Sequence, residues 1–110
     1  MNNIFHTGLE ARWDQFSLME QMANIGAEIG RTINWRKKRN IAMSTNALYR
    51  GLELLDLTVN DKKNSNSLKE ILRVREALVD FFLGENIYRS SNDIWEKYFY
   101  YYNLAARKNH

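Results

Sequence analysis

Residues 17–39 read SLMEQMANIGAEIGRTINWRKKR, and this stretch decides the fold that the sequence predicts. It opens with Ser17 and Glu20 in the S-x-x-E form of a capping box, in which each side chain accepts a free backbone N–H at the start of a helix. Side chains suited to a core then recur at steps of three and four, which places them along one helical face. They are Leu18, Met22, Ile25, Ile29 and Thr32. We therefore predict an α-helix over residues 17–39.

Two glycines, Gly26 and Gly30, lie inside this predicted helix beside the apolar stripe. A glycine in a helix interior costs about 1 kcal/mol relative to alanine. The simplest compensation is close approach of another backbone, because a side chain at these positions would hold the two apart. We therefore expect a second helix to pack closely here.

Apolar residues recur at helical spacing in three later segments, which predict helices over residues 41–59, 68–83 and 93–108. The chain has no Pro to interrupt them. Because short connections make consecutive helices antiparallel, the sequence predicts an all-α fold. It is a single up-down antiparallel four-helix bundle, residues 1–110 forming one domain, with a short N-terminal lead packing on it. In that lead, Leu9, Trp13 and Phe16 are expected to contact the bundle.

Local signals mark the ends of the later helices. Asn40 is the predicted N-cap of the second, Ser67 opens a second capping-box pattern, and Asp93 is the predicted cap of the fourth. Gly84 is the predicted left-handed stop of the third. The polar stretch 60–66 is rich in turn-forming residues and predicts a mobile loop.

The aromatic run YFYYY at residues 98–102 has strand propensity. No other segment offers a strand partner, so a helix is predicted here as well. Five consecutive aromatic residues surround a helix, so Tyr100 and Tyr101 are expected to face outward. Together with Trp95 they are the predicted interface for self-association or a protein partner. The alternative is that the N-terminal lead covers them.

The missing residue types narrow the chemistry. The chain has no Cys, and its two histidines, His6 and His110, lie at opposite termini. Disulfides, thiolate metal sites and a cysteine nucleophile are excluded, and a histidine base is disfavoured. We therefore expect a non-enzymatic protein with no catalytic residues and no cofactor. No signal peptide or apolar run of spanning length is found, so a cytoplasmic protein without a membrane partner is expected.

Positive charge is concentrated in one segment. No acidic residue occurs between Glu28 and Glu53, whereas six of the sixteen basic residues lie there. They are Arg31, Arg36, Lys37, Lys38, Arg39 and Arg50. A helical hairpin gathers most of them at one end, which predicts a site for RNA or another anionic partner that contacts phosphates without reading sequence. The alternative is that cations in a last helical turn only complement the helix dipole.

Acidic residues at helical spacing suggest a second chemistry. Glu53 and Asp56 form an E-x-x-D pattern that resembles part of the motif of the all-α nucleotide pyrophosphohydrolases. That resemblance implies a Mg²⁺-dependent enzyme, although Ile25 stands where the family's upstream helix carries an acid. The candidate metal ligands are Glu28, Glu53, Asp56, Glu76 and Asp80. The alternative is a solvent-exposed face with one semi-buried ion-pair network, in which Arg31 and Arg50 neutralise acids.

The size and all-helical layout resemble the nucleases of the HEPN class. Their Arg-x(4–6)-His motif does not occur here, so the resemblance implies a non-catalytic member. The segments SLMEQMANIGAEIGRTINW, LELLDLT and YFYYYNLAAR, about a third of the chain, also look similar to small bacterial proteins without an assigned activity. This likeness implies a bacterial, cytoplasmic, helical protein and no particular mechanism.

Overall fold

The computed structural model describes residues 11–108, and the regular structure in that range is helical. Its four α-helices are α1 (Leu18–Lys37), α2 (Ile41–Val59), α3 (Leu68–Leu83) and α4 (Asn92–Lys108). Two short 3-10 helices, Trp13–Gln15 and Lys62–Ser67, precede α1 and α3. No strand occurs between residues 11 and 108, so the prediction of an all-α fold with four helices is confirmed.

The first two helices begin where the sequence predicts. The Glu20 amide donates to Ser17 Oγ over 3.1 Å, and the Ser17 amide donates to Glu20 Oε1 over 2.9 Å, which completes the capping box. Asn40 Oδ1 accepts from the Met43 amide over 3.1 Å. Both N-caps satisfy amides that have no partner inside the helix.

Two other predicted caps are wrong. Ser67 makes no side-chain cap hydrogen bond, because α3 continues directly from the 3-10 helix before it. At α4, Ser91 Oγ accepts from the Ile94 amide over 3.2 Å, so Ser91 takes the capping role predicted for Asp93.

Gly84 ends α3 for a reason other than the one predicted. Its φ of −113° lies outside the left-handed region, so the predicted left-handed stop is wrong. A Cβ at Gly84 would lie 3.0 Å from the carbonyl oxygen of Asp80. The position therefore requires glycine for space, because the chain turns back tightly onto the last turn of α3.

The prediction of a loop over the polar stretch 60–66 is wrong. Most of it forms the second 3-10 helix, in which Asn64 is 3% exposed. The Asn64 amide group donates to Gln21 Oε1 and to the Thr58 carbonyl, over 2.9 and 3.0 Å. Trp13 Nε1 donates to Thr58 Oγ1 over 3.0 Å. These buried bonds attach the end of the lead and the α2–α3 connection to α1 and α2.

The predicted contacts of the lead can be followed from residue 11 onward. Trp13 is buried in the core, and Phe16 packs against it from the edge. Leu9, like His6 and His110, lies outside the described residues.

α1 packs against both α2 and α4, and α2 packs against α3. Ser44 Oγ donates to the Thr32 carbonyl over 2.9 Å, so the start of α2 meets the last part of α1 and the two helices run antiparallel. On the α4 side, a Cβ at Gly26 would lie 2.6 Å from Phe99 Cβ. The close approach expected at the glycines is therefore observed at Gly26, whereas nothing lies within 4 Å of the corresponding point at Gly30.

A single apolar cluster joins the four helices and Trp13. Its fully buried members include Met22, Ile25, Ile29, Ile33, Leu54, Leu55, Ile71 and Leu78. The predicted stripe of α1 thus forms the centre of the core, and burial of its apolar surface is the main stabilising contribution.

Candidate interface for an anionic partner

Two connections lie at the same end of the helices. The Arg36 guanidinium, in the last turn of α1, lies 5.3 and 5.2 Å from the ring centroids of Phe81 and Phe82 in the last turn of α3. A cavity between α1 and α4 is lined by Ile33 near the end of α1 and by Trp95 near the start of α4. The α1–α2 turn and the α3–α4 connection are therefore neighbours. We call residues 36–43 and 83–94 together the basic end.

The α1–α2 turn holds its cations outside the core. All residues from 36 to 43 are exposed. The Arg39 amide donates to the Arg36 carbonyl and the Asn40 amide to the Trp35 carbonyl, which reverses the chain within three residues. Arg39 adopts a φ of 61°, in the left-handed region that usually favours glycine. The turn therefore leaves all four of its charged residues exposed to solvent.

Four of the six predicted cations come together in this turn. Arg36, Lys37, Lys38 and Arg39 form no ion pair with any residue between 11 and 108. Lys38 Nζ lies 5.2 Å from the Trp35 ring centroid, and Arg36 lies on the two phenylalanine rings. The rings contact the charged groups themselves, and this cation–π attraction holds the two side chains in place without a carboxylate partner.

The other two predicted cations lie away from the turn and pair with an acid. Arg31 Nη1 and Arg50 Nε approach Glu28 Oε1 to 3.3 and 3.2 Å. The Glu28 side chain is 11% exposed, so this carboxylate is held between two guanidinium groups at the α1–α2 contact. The expectation that these two arginines neutralise an acid is confirmed, because both form ion pairs with Glu28 inside the α1–α2 hairpin.

The α3–α4 connection is closely hydrogen-bonded. The Asp80 carboxylate accepts from the amides of Ile87 and Tyr88 over 2.9 and 3.0 Å. Asn86 bonds both the amide and the carbonyl of Ser90. Asn86 and Arg89 have φ values of 56° and 57°. This local network holds Ile87 at 75% exposure and Tyr88 at 53%.

The sequence analysis did not single out the α3–α4 connection. Its sequence is rich in asparagine, aspartate and serine, whose side chains commonly hydrogen-bond to nearby backbone groups. That composition could have indicated an ordered turn. The sequence pattern did not indicate that two large apolar side chains would be held outward.

The five predicted metal ligands do not converge. Among residues 11–108, no three acidic or histidine side chains form a group that could hold a metal ion. Asp56 instead accepts from Arg75 Nε over 2.7 Å, Asp80 binds the two amides, and Glu28 binds the two arginines. Glu53 lies partly buried on α2, and Glu76 lies on the exposed side of α3. Residues 11–108 therefore do not assemble these acids into an all-oxygen site of the kind Mg²⁺ requires.

The predicted aromatic interface is divided between core and surface. Trp95 is 5% exposed and stacks on Phe99 with ring centroids 6.0 Å apart, so it is a core residue. Tyr100 and Tyr101 are 56% and 68% exposed, as expected. Tyr100 also lines the open cavity of about 270 Å³ between α1 and α4, whose floor includes Gly30.

Two other tyrosines share one carboxylate. Tyr98 and Tyr102 donate to Glu70 Oε2 over 2.8 and 3.2 Å, which joins the start of α3 to α4. Burial, followed by hydrogen bonding with Tyr102 and Glu70, raises the pKa of Tyr98 well above its usual range. Burial is also the main reason why the pKa of Tyr102 is raised. Both hydroxyls therefore stay protonated and act as donors.

In the described part of the chain, no helix has the length and apolar character needed to cross a membrane. Comparison with protein-family models, with curated proteins and with solved structures found no match.

Proposed function

We propose that this chain is a non-enzymatic, cytoplasmic binding module that recognises an anionic partner bearing phosphates, such as RNA, through its basic end. The observation that carries the proposal is the run Arg36 to Arg39, four exposed cations that no described residue neutralises. Binding uses the folded chain alone and requires no cofactor. The resemblance to non-catalytic HEPN proteins stays a prediction that agrees with this role.

The proposal includes an up-down order for the four helices. The antiparallel contacts of α1 with α2 support it, as does the position of Trp95, near the start of α4, beside Ile33 near the end of α1. Arg36 over Phe81 indicates that α1 and α3 end together. In that order the cationic turn and the α3–α4 connection form one face across the end of the bundle.

Helix-end electrostatics account for only part of the cationic run. Cations in the last turn of a helix gain about 0.3–1 kcal/mol from the dipole, and this applies to Arg36 and Lys37. Arg39 lies beyond the helix, at a backbone conformation that costs a non-glycine residue about 1 kcal/mol. An arginine where glycine would be more stable supports a role for its charge in binding.

The expected binding is electrostatic and insensitive to base sequence. If the four cations each neutralise one phosphate of a single strand, the logarithm of the affinity falls with that of the salt concentration with a slope of about −2.8. Raising salt from about 50 to about 200 mM then weakens binding about 50-fold.

A pair of charge-matched variants tests the proposal. The turn variant carries Lys37→Gln, Lys38→Gln and Arg39→Gln. The control variant removes three exposed cations elsewhere, through the changes Lys69→Gln, Lys97→Gln and Lys108→Gln. Both lose the same net charge, so general attraction falls equally in the two.

Binding is measured with two phosphate-bearing probes. Fluorescence anisotropy reports binding to labelled single-stranded RNA of about 16 nucleotides. Sedimentation reports binding to phosphatidylglycerol vesicles. The proposal expects wild-type binding to at least one probe at low salt. It also expects the turn variant to lose at least tenfold more affinity than the control. Absence of binding to both probes, or equal losses in the two variants, would refute it.

A second candidate function is self-association through Tyr100 and Tyr101. Their rings lie 6.4 Å apart, both are exposed, and one of them borders the α1–α4 cavity. We propose that these rings contact a second copy or a protein adaptor partner. Sedimentation velocity of the wild type and of a Tyr100→Ser, Tyr101→Ser variant tests this, and a wild type that stays at 13.1 kDa at high concentration contradicts self-association.

A further inference from the structure

We propose that the partner of the basic end is the surface of an anionic lipid bilayer, into which the exposed apolar side chains of this end insert. This inference rests on the proposed function and names the source of the phosphates. It differs from the expectation drawn from the sequence, which foresaw no membrane partner because no segment could span one.

The observation behind it is a mixture of charge and exposed apolar surface. Large apolar side chains that remain exposed lie in both parts of the basic end, next to its cations. They are Ile41 (68% exposed), Met43 (39%), Leu83 (54%), Ile87 (75%), Tyr88 (53%) and Ile94 (52%). Exposed apolar side chains that cluster in one region of a protein surface indicate an interaction site.

These side chains do not suit RNA. Single-stranded nucleic acid is bound by stacking bases on aromatic rings or arginine and by hydrogen bonds to base edges. Ile41 and Ile87 offer neither, and both would stay in water beside a phosphate backbone. A bilayer provides anionic phosphates and apolar chains within the same few ångströms.

The arrangement also favours a bilayer over a protein. The apolar side chains come from four separate segments: the start of α2, the last residue of α3, the α3–α4 connection and the start of α4. A protein partner must provide a matched pocket for each anchoring side chain, because interfaces of proteins pack as densely as their interiors. A fluid bilayer adapts to side chains at any spacing.

The charge of this end is complementary to an anionic surface. It carries the four cations of the turn and Arg89, against Glu85, Asp93 and the Asp80 carboxylate bound to the connection, so it has an excess of two positive charges. Each basic group near an anionic membrane adds to the attraction between the two. Charge and insertion together provide the two independent contributions that reversible membrane binding needs.

The hydrogen bonds of the connection strengthen the inference. Asp80 fixes the amides of Ile87 and Tyr88, so the backbone that carries the exposed Ile87 side chain is ordered before any partner is bound. Binding then requires little further ordering of the backbone, which raises affinity. A tyrosine next to an inserted aliphatic residue is also typical of the membrane–water interface.

The test uses the whole chain and vesicles of two compositions, phosphatidylcholine alone and phosphatidylcholine with about 30% phosphatidylglycerol. An apolar variant carries Ile41→Ser and Ile87→Ser, which leaves every charge in place. Its control carries Leu68→Ser and Leu72→Ser, two leucines that are 37% and 45% exposed in the first two turns of α3. Thermal unfolding followed by circular dichroism checks that both variants fold.

We expect the wild type to bind the anionic vesicles at least tenfold more tightly than the neutral ones. The apolar variant should lose at least tenfold of that affinity, and the control should change by less than a factor of about two. Failure of the wild type to bind anionic vesicles overturns the inference. Binding that the apolar variant retains overturns the insertion of side chains.

The same variants separate this inference from the proposed function. If the wild type binds RNA with the expected salt dependence and does not bind vesicles, the anionic-partner function stands and the lipid assignment fails. If it binds neither, both fail. If vesicle binding is lost in the apolar variant and in the turn variant of Lys37, Lys38 and Arg39, both are supported.

Discussion

Alanine at Gly26 and alanine at Gly30 should change the stability of the fold in opposite directions. Both glycines lie inside α1, four residues apart and beside the same apolar stripe. As helix positions they are equivalent, and either alanine would gain about 0.5–1 kcal/mol from helix propensity alone. Their surroundings in the folded chain separate them.

At Gly26, a new Cβ would lie 2.6 Å from Phe99 Cβ and 2.9 Å from Phe99 Cγ. Phe99 Cβ is fixed to the α4 backbone, so α4 itself must move. Forced overpacking of this kind costs about 1–3 kcal/mol, which outweighs the gain from propensity. At Gly30 nothing lies within 4 Å of the new atom, so Gly30→Ala keeps its full gain.

Urea unfolding followed by circular dichroism measures both variants against the wild type. The midpoint should fall for Gly26→Ala and rise for Gly30→Ala, with unchanged slopes, and melting temperatures should shift by about 4 °C per kcal/mol. Equal and positive shifts would contradict the close approach of α4 to α1. A destabilised Gly30→Ala would mean that the neighbouring cavity is filled.

Three further predictions concern the turn, the buried amide network and the ion pairs. Arg39→Gly should raise the free energy of unfolding by about 1 kcal/mol, because glycine accepts the positive φ of this residue. Differential scanning calorimetry measures the melting temperature of the variant, and an unchanged or lower value contradicts the prediction. Burial opposes ionisation of Asp61, but hydrogen bonds from Lys63 and Gln21 outweigh it, so the pKa of Asp61 is lowered on folding. Its stabilisation is therefore present above about pH 4 and lost as the pH falls through the folded pKa. Asp61→Asn should lower stability at pH 7 and leave it unchanged at acidic pH, as urea midpoints across pH will report; a pH-independent effect refutes this. Glu28→Ala should destabilise the chain by about 1–3 kcal/mol, because the Arg31 and Arg50 guanidinium groups lose their acceptor. A double-mutant cycle with Arg50→Ala measures the coupling between Glu28 and Arg50. Additive effects of the two substitutions on the free energy of unfolding would show that the pair is not coupled.

Much of the architecture could be predicted because it depends on interactions between residues close in sequence. The alternation of three and four residue steps in α1 places Met22, Ile25 and Ile29 on one face whatever lies opposite them. The caps at Ser17 and Asn40 succeed for the same reason, since donor and acceptor are three residues apart. The outward position of Tyr100 and Tyr101 follows from helix geometry once their neighbours are buried.

The local predictions at Ser67, Asp93 and Gly84 failed through details of turn geometry, whereas the other failures involve groups whose partners are distant in the chain. Asn64 belongs to a polar stretch that is typical of a loop, yet Gln21, 43 residues away, provides its buried acceptor. Similarly, Glu28 and Asp56 have a spacing compatible with a metal site, but packing brings Arg50 to the first carboxylate and Arg75 to the second. Composition alone does not contain that information.

By itself the sequence determined that the chain is all-helical, where its four helices lie and which segment concentrates positive charge, because periodicity, capping and charge are local properties. Only the tertiary structure decided that the cationic turn lies beside the α3–α4 connection. It also decided that Arg31 and Arg50 form ion pairs with Glu28, whereas Arg36 to Arg39 form none among the described residues. The physical reason is that charge neutralisation and exposure depend on distances of a few ångströms between side chains. Packing of the helices sets those distances.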